Sequence, residues 1–294
     1  ALAPRILNVF DPETGTTFTV NTLLSPDATI SEFAWSPQTV DLAYSTFESS
    51  VEKLYVFNSE TQSNLLIDDK FRQYSGTVND DMWSPNGRFL AFFSTAGENG
   101  KLIPDLWVAE ANGASSAKIS SISSNNSELD YGYQWSPDSQ HVAYIIRTGF
   151  PVYPVIRVAD RQGTMETTLT LPPNPATENF IRYFSIKWSP TGESLATTRN
   201  RTLDGMIVGS ELLVIDVATQ ATSVRNAQGL PGFFDEDLYD WAPSGTAIGY
   251  LEEYWEDRRD IYTRLIIEDL SANSTFVSGN GQFEFIRIND FDFL

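Results

Sequence analysis

The chain has 294 residues, with 39 acidic and 19 basic side chains and a formal charge of −20 at neutral pH. That balance makes nucleic acid and anionic membrane poor partners, because phosphate contacts need clustered Lys and Arg. There is no cysteine and one histidine, His141, so disulfides, thiol chemistry and a multi-histidine metal centre are excluded together.

Apolar material is ample, at 41% hydrophobic and 13% aromatic, yet no window approaches the ~18 consecutive apolar residues of a membrane-spanning helix. The chain opens at Ala1-Leu2-Ala3-Pro4, which has the small-x-small look of a signal-peptidase cut and suggests a processed chain or an excised fragment. Asn125, Asn200 and Asn273 head sequons, or chance matches in a Ser/Asn/Thr-rich chain.

In chain order the residues set out a β-branched strand at 6–11, a weaker one at 18–24, and then one pattern five times. Phe33-Ala34-Trp35-Ser36-Pro37 is followed by Asp81-Met82-Trp83-Ser84-Pro85, Tyr133-Gln134-Trp135-Ser136-Pro137, Ile186-Lys187-Trp188-Ser189-Pro190 and Tyr239-Asp240-Trp241-Ala242-Pro243. The tryptophans stand 48, 52, 53 and 53 residues apart, and this regularity marks all five as core residues. A turn and a short apolar run follow each, for example Leu42-Ala43-Tyr44 and Leu90-Ala91-Phe92. In Ser84-Pro85-Asn86-Gly87 the proline presets φ and Asn-Gly tolerates the positive φ that reverses the chain, so each motif predicts a tight hairpin. A third strand recurs at 54–58, 106–110, 156–160, 212–216 and 265–269, and a weaker fourth follows, as at 64–68. Four short strands per roughly 50 residues, without helical periodicity, describe a β-propeller blade.

Third strands thus occur six times, and a sixth innermost strand can be read at Ile288-Asn289-Asp290-Phe291-Asp292-Phe293, with Phe293 in the tryptophan position. The expected architecture is all-β: one six-bladed propeller over 1–294, of four-stranded antiparallel blades. Its repeats run at about 26–78, 79–130, 131–182, 183–236 and 237–288, with a closing blade formed by 1–25 plus 289–294. Such closure pairs the chain ends and leaves no open edge. The second strand occurs only five times before Leu294, which points to a clipped chain or an incomplete closing blade.

Trp-Ser-Pro-Asx-Gly followed by Leu/Val-Ala-Tyr/Phe resembles the repeat of TolB-type propellers, and is similar to repeats in the propeller domains of prolyl oligopeptidase relatives. The resemblance covers nearly the whole chain. It implies a non-enzymatic interaction module that docks a protein partner within an exported or envelope-associated assembly, periplasmic or extracellular. The cysteine-free composition fits a cytoplasmic protein as well. The motif itself marks the buried hairpin of a blade and is not a site.

No Gly-x-Ser-x-Gly elbow and no Gly-rich phosphate loop occurs. His141, directly after a turn, reads as a surface histidine without a catalytic partner. The first-to-second turns are tight and alike, whereas the second-to-third and fourth-to-first connections are long and different. Both long sets open on one face of a propeller, where recognition is expected. Just before the inner strands, or in their first residues, stand Glu32, Asp80, Asp81, Asp130, Asp235, Glu236, Asp237 and Asp290. Of these, Glu32, Asp80, Asp130, Asp237 and Asp290 could converge at the channel mouth on a hard cation such as Ca2+. They could equally receive a basic peptide, or form a solvated rim.

Phe47, Phe150, Tyr153, Tyr254, Trp255 and Arg258 are the candidate docking residues, aromatics beside Arg being hot-spot types, with packing between blades as the rival reading. Two further functions stay open. One is a hydrolase or lyase using paired carboxylates in the channel, with or without Ca2+. The other is a glycan-binding disc with Trp107 and Trp255 as stacking platforms.

Overall fold

The computed structural model describes residues 6–20, 24, 28–49, 51–71, 80–95, 104–120, 127–148, 153–169, 183–203, 206–225, 232–233, 239–257, 260–272 and 274–277. These residues form six sheets, and every pairing given to the residue is antiparallel. The first sheet is β1 (Asn8–Asp11) with β2 (Thr16–Thr19). The second holds β3 (Thr29–Trp35), β4 (Asp41–Glu48), β5 (Val51–Asn58) and β6 (Ser63–Asp68) in that order. The third holds β7 (Phe89–Ser94), β8 (Asp105–Glu110) and β9 (Ser116–Lys118). The fourth holds β10 (Ser127–Trp135), β11 (His141–Thr148), β12 (Tyr153–Asp160) and β13 (Glu166–Leu169). The fifth holds β14 (Tyr183–Trp188), β15 (Ser194–Leu203), β16 (Met206–Asp216) and β17 (Thr222–Arg225). The sixth holds β18 (Gly232–Phe233), β19 (Tyr239–Trp241), β20 (Ala247–Asp257), β21 (Asp260–Asp269) and β22 (Ser274–Val277), with both β18 and β19 on β20.

The turns follow from their residues. Ser84 donates its N–H to the Phe89 carbonyl at 2.9 Å and accepts the Phe89 N–H on its hydroxyl at 3.0 Å, while Gly87 closes the reversal at φ 68°. Ser189 and Ser194 repeat the arrangement. At the other end of the third strand an Asx side chain caps the hairpin. Asp216 accepts the Thr219 N–H at 2.7 Å, Asn58 the Thr61 N–H at 2.8 Å, and Asp160 the Thr164 N–H at 2.8 Å.

Long-range contacts divide the chain into two compact units. One is Ala1–Tyr131, Asp138–Val142 and Val158–Thr167; the other is Gly132–Pro137, Ala143–Arg157 and Thr168–Leu294. In the first unit the sheets stack face to face in chain order. Leu7, Val9 and Val20 of the first sheet pack on Leu42, Tyr44 and Phe57 of the second. Ala34, Ala43, Leu54 and Val56 on its opposite face pack on Trp83, Leu90 and Phe92 of the third. In the second unit Ala196, Leu212 and Val214 of the fifth sheet meet Tyr239, Trp241 and Ile248 of the sixth. All six residues of β7 are buried, as a strand covered on both faces requires.

Trp83, Trp135, Trp188 and Trp241 are buried as expected. Trp83, Trp188 and Trp241 each donate the indole N–H to the residue just before the tryptophan one repeat earlier, namely Ala34, Gln134 and Lys187, at 3.1, 3.1 and 3.2 Å. Trp35 departs from the expectation and is 43% exposed. It is the first of the series, and no described residue stands before it in the place that Ala34 takes for Trp83.

The inner strands also differ from the four-strand expectation. In the third sheet Asp80–Met82 forms a 3-10 turn in place of an inner strand, and Trp83 makes an isolated bridge to Leu90. In β3 and β14 the register slips between Ile30 and Phe33 and between Tyr183 and Ile186, so a bulge lies a few residues before the tryptophan. In the sixth sheet the inner position is divided between β18 and β19.

Candidate functional site

The end of β4 and the start of β5 make a tight hairpin in which Glu48 pairs with Val51 and Ser49 adopts φ 48°. Thr46, Glu48, Val51, Lys53 and Tyr55 share one face of this hairpin, by alternation and register. The buried Glu48 carboxylate accepts from the Thr46 hydroxyl at 2.9 Å, the Lys53 ammonium at 2.7 Å and the Tyr55 hydroxyl at 3.2 Å. Burial pushes Glu48 up, but these bonds outweigh it and hold the carboxyl below its ordinary range, so it stays ionised. Bonding to Glu48 raises Lys53 in turn. Tyr44 and Tyr55 stack beneath, with centroids 5.5 Å apart, and burial raises both phenols first of all. Phe47 points to the opposite face and is 46% exposed, and Val51 is 41% exposed.

A second polar cluster occupies the same end of the strands. Ser94, the last residue of β7, reaches both carboxylate oxygens of Asp68 at 3.0 Å, and the Lys70 N–H donates to Asp68 at 2.8 Å. Burial raises Asp68 more than those bonds lower it. Asp105, opposite Ser94 in the β7–β8 ladder, is buried and accepts from Ser120 at 3.3 Å, with Lys118 at 3.5 Å.

In the second unit two hairpins run long. β15–β16 and β20–β21 are built of strands of 10 or 11 residues, against 6 for β7 and β8. Four or five extra residues add roughly 15 Å of ladder. Within β15–β16 the guanidinium of Arg199 grips Glu211 at 2.8 and 2.6 Å, both residues being buried. Near the tip of β20–β21, Tyr254 lies opposite Tyr262 and Trp255 opposite Ile261.

Of the residues expected to dock a partner, Phe47 is exposed at a hairpin tip. Tyr153 opens β12, and Tyr254 and Trp255 lie in β20, with side chains outside the described set. Phe150 and Arg258 lie outside the described residues. Of the expected cation ligands, Glu32 is half-buried in the β3 bulge, Asp80 opens the 3-10 turn and Asp130 lies in β10. Asp237 and Asp290 lie outside the described residues. Among the described residues no three His, Asp or Glu side chains gather as a metal site would need.

Trp107 packs against the core between the second and third sheets with its indole nitrogen buried, so it is no open sugar platform. Glu48, Lys53, Asp68 and Asp105 escaped the sequence reading. Glu48 pairs with Val51 across a two-residue turn, and Lys53 stands two residues further along on the same face. Asp68 meets Ser94 across 26 residues and carries no local signal.

No protein-family model matches the sequence, and no curated protein is significantly similar to it. The structure is similar to the β-propeller domain of the Trilobed protease from Pyrococcus furiosus, at 14% identity over 82% of this chain and 69% of that one, TM-score 0.50. It is also similar to Pyrococcus horikoshii acylaminoacyl peptidase, at 14% identity over 90% of this chain and 40% of that one, TM-score 0.51. TolB from Acinetobacter baumannii matches at 19% identity over 94% of this chain, TM-score 0.43, and the chain spans 60% of that protein's length. The fold is that of a β-propeller, and the Trp-Ser-Pro repeat that builds it is TolB-like. Likeness at these identities speaks to fold and not to activity. Among the described residues no helix is long and apolar enough to cross a membrane.

Proposed function

We propose that the chain is a binding module, a single six-bladed propeller closed by 1–25 together with 289–294, which docks a protein or peptide through the ends of its strands that carry Phe47. The observation that supports this most directly is the β4–β5 tip. Phe47 and Val51 are exposed on a turn held by the bonded Glu48, so little conformational entropy is lost when a partner covers them. The charge of −20 favours a partner with a basic contact surface. Tyr153, Tyr254, Trp255 and Arg258 extend the same reading to the fourth and sixth sheets. The TolB-like repeat supports an exported or envelope-associated place.

The test is capture from the source organism by the intact chain and by a Phe47→Ala/Val51→Ala variant of equal thermal stability. Loss of a stoichiometric partner, or affinity lower by about tenfold (~1.4 kcal/mol), is the expected outcome. Equal capture by both baits would overturn the assignment of this tip.

A further inference from the structure

Acidic side chains outnumber basic ones by 39 to 19, so an arginine that finds no carboxylate stands out in this chain. Arg88 and Arg161 are both of that kind, and they share one ring. The guanidinium carbon of Arg161 lies over Phe89 at 4.2 Å from the ring centroid, and that of Arg88 at 5.7 Å. Phe89 is 5% exposed beneath them. Among the described residues neither guanidinium has an ion-pair partner, and Nε of Arg161 is buried without a hydrogen bond. The acid opposite Phe89 in the β7–β8 register and the acid next to Arg161 are already engaged. Glu110 accepts from the Ser115 hydroxyl at 2.9 Å, and Asp160 accepts from the N–H and hydroxyl of Thr164 at 2.8 and 2.5 Å.

Both arginines stand on main chain that is held in place. Arg88 donates its N–H to the Asn86 side-chain oxygen at 3.0 Å and accepts the Ala111 N–H at 2.9 Å. Arg161 donates its N–H to the Gln140 carbonyl at 3.0 Å, and Gly163, two residues on, is seated closely against the Lys118 carbonyl. All of these residues belong to the first compact unit, at the end of the strands where β7 begins, away from the hairpin tip that carries Phe47. Stacking on a ring takes water off the flat face of a guanidinium and leaves the N–H groups along its edge to bond in the plane. Two such edges around one ring suit an oxyanion held by charge-assisted hydrogen bonds.

We propose that Arg88 and Arg161 form a binding site for a small free oxyanion of the phosphate or dicarboxylate class. The edge of Arg161 grips the anion and the exposed Arg88 closes over it. The charge of −20 turns away polyanions, so the occupant is a small ion and not a nucleic acid or an anionic membrane. The site is independent of the docking tip at Phe47 and of the number of blades.

Isothermal titration calorimetry of the intact chain with inorganic phosphate and with succinate, at an ionic strength held constant with sodium chloride, tests the assignment. Arg88→Gln, Arg161→Gln and Arg161→Lys are compared with the parent, each checked for unchanged circular dichroism, and the lysine variant keeps a cation over Phe89. The expected result is saturable one-to-one binding of at least one of the two anions, weakened about tenfold or more in each variant, since lysine keeps the charge and loses the planar fork. No saturable binding of either anion by the parent would overturn the proposal whatever the variants do. Affinity left unchanged by any of the three substitutions would overturn the two-arginine grip.

Discussion

Trp83 donates its indole N–H to the main-chain carbonyl of Ala34, 49 residues earlier, at 3.1 Å. Both residues are buried, so the bond is made where water cannot replace it. Trp188 and Trp241 make the same bond to Gln134 and Lys187, which turns a side chain chosen for its bulk into a fastener between consecutive sheets.

Trp83→Phe keeps most of the apolar contact but strips the Ala34 carbonyl of that donor, so it should cost about 1–3 kcal/mol. Trp83→Ala adds a cavity and should cost about 3–5 kcal/mol. Urea unfolding monitored by circular dichroism measures both. A phenylalanine variant as stable as the parent would show the bond to be dispensable.

Arg199→Met leaves Glu211 buried without its guanidinium and should destabilise by about 3–5 kcal/mol, since both partners lie out of water. Arg199→Met/Glu211→Leu should recover most of that loss, because an apolar pair needs no desolvated charge. If the double variant were no more stable than the single one, the pair would be doing more than neutralising itself.

Gly192 has φ 74°, and among the described residues the one atom an added Cβ would meet within 4 Å is Cδ of Pro137 at 3.7 Å. Gly192→Ala should therefore cost only the conformational term, about 1–2 kcal/mol. Gly163, at φ 69°, faces the Lys118 carbonyl so closely that a Cβ must displace main chain, and Gly163→Ala should cost more. Equal shifts in the denaturation midpoint would contradict this difference.

Thr219, through its N–H and hydroxyl, holds Asp216 below the ordinary 3.8. At Asp160 burial acts upward, and the Thr164 bonds outweigh it. A carboxyl lowered on folding stabilises above its unfolded pKa, and that contribution fades as pH falls through the folded value. Asp160→Asn/Asp216→Asn should lower stability at pH 7 and change little at pH 3, and so flatten the loss of stability below about pH 4. Asp68 is raised, chiefly by burial, so its sign is opposite: its ionisation works against folding as pH rises. Asp68→Asn should hold or increase stability at pH 7 and have no benefit at pH 3. Chemical denaturation across the pH range decides both, and an unchanged acid slope in the double variant would sink the first.

The sheet order and both kinds of hairpin turn were legible because each is written within a few neighbouring residues. Ser84-Pro85-Asn86-Gly87 carries its own φ preferences, and Asp216 caps a turn three residues away. The Glu48 network was not legible, because its members became visible only once β4 and β5 were paired in register. The register breaks before Trp35 and Trp188 were equally hidden: Phe33 and Ser185 look like ordinary strand residues until the neighbouring strand is laid beside them.

By itself the sequence determined the repeat, the strand alternation and the turn chemistry, since these depend on backbone preferences and on side chains one or two residues apart. Only the tertiary structure decided which equivalent residues are buried and which stand open. Trp241 and Trp35 occupy the same place in the repeat, yet one is 5% and the other 43% exposed, because burial is set by the sheet packed against a residue and not by the residue itself.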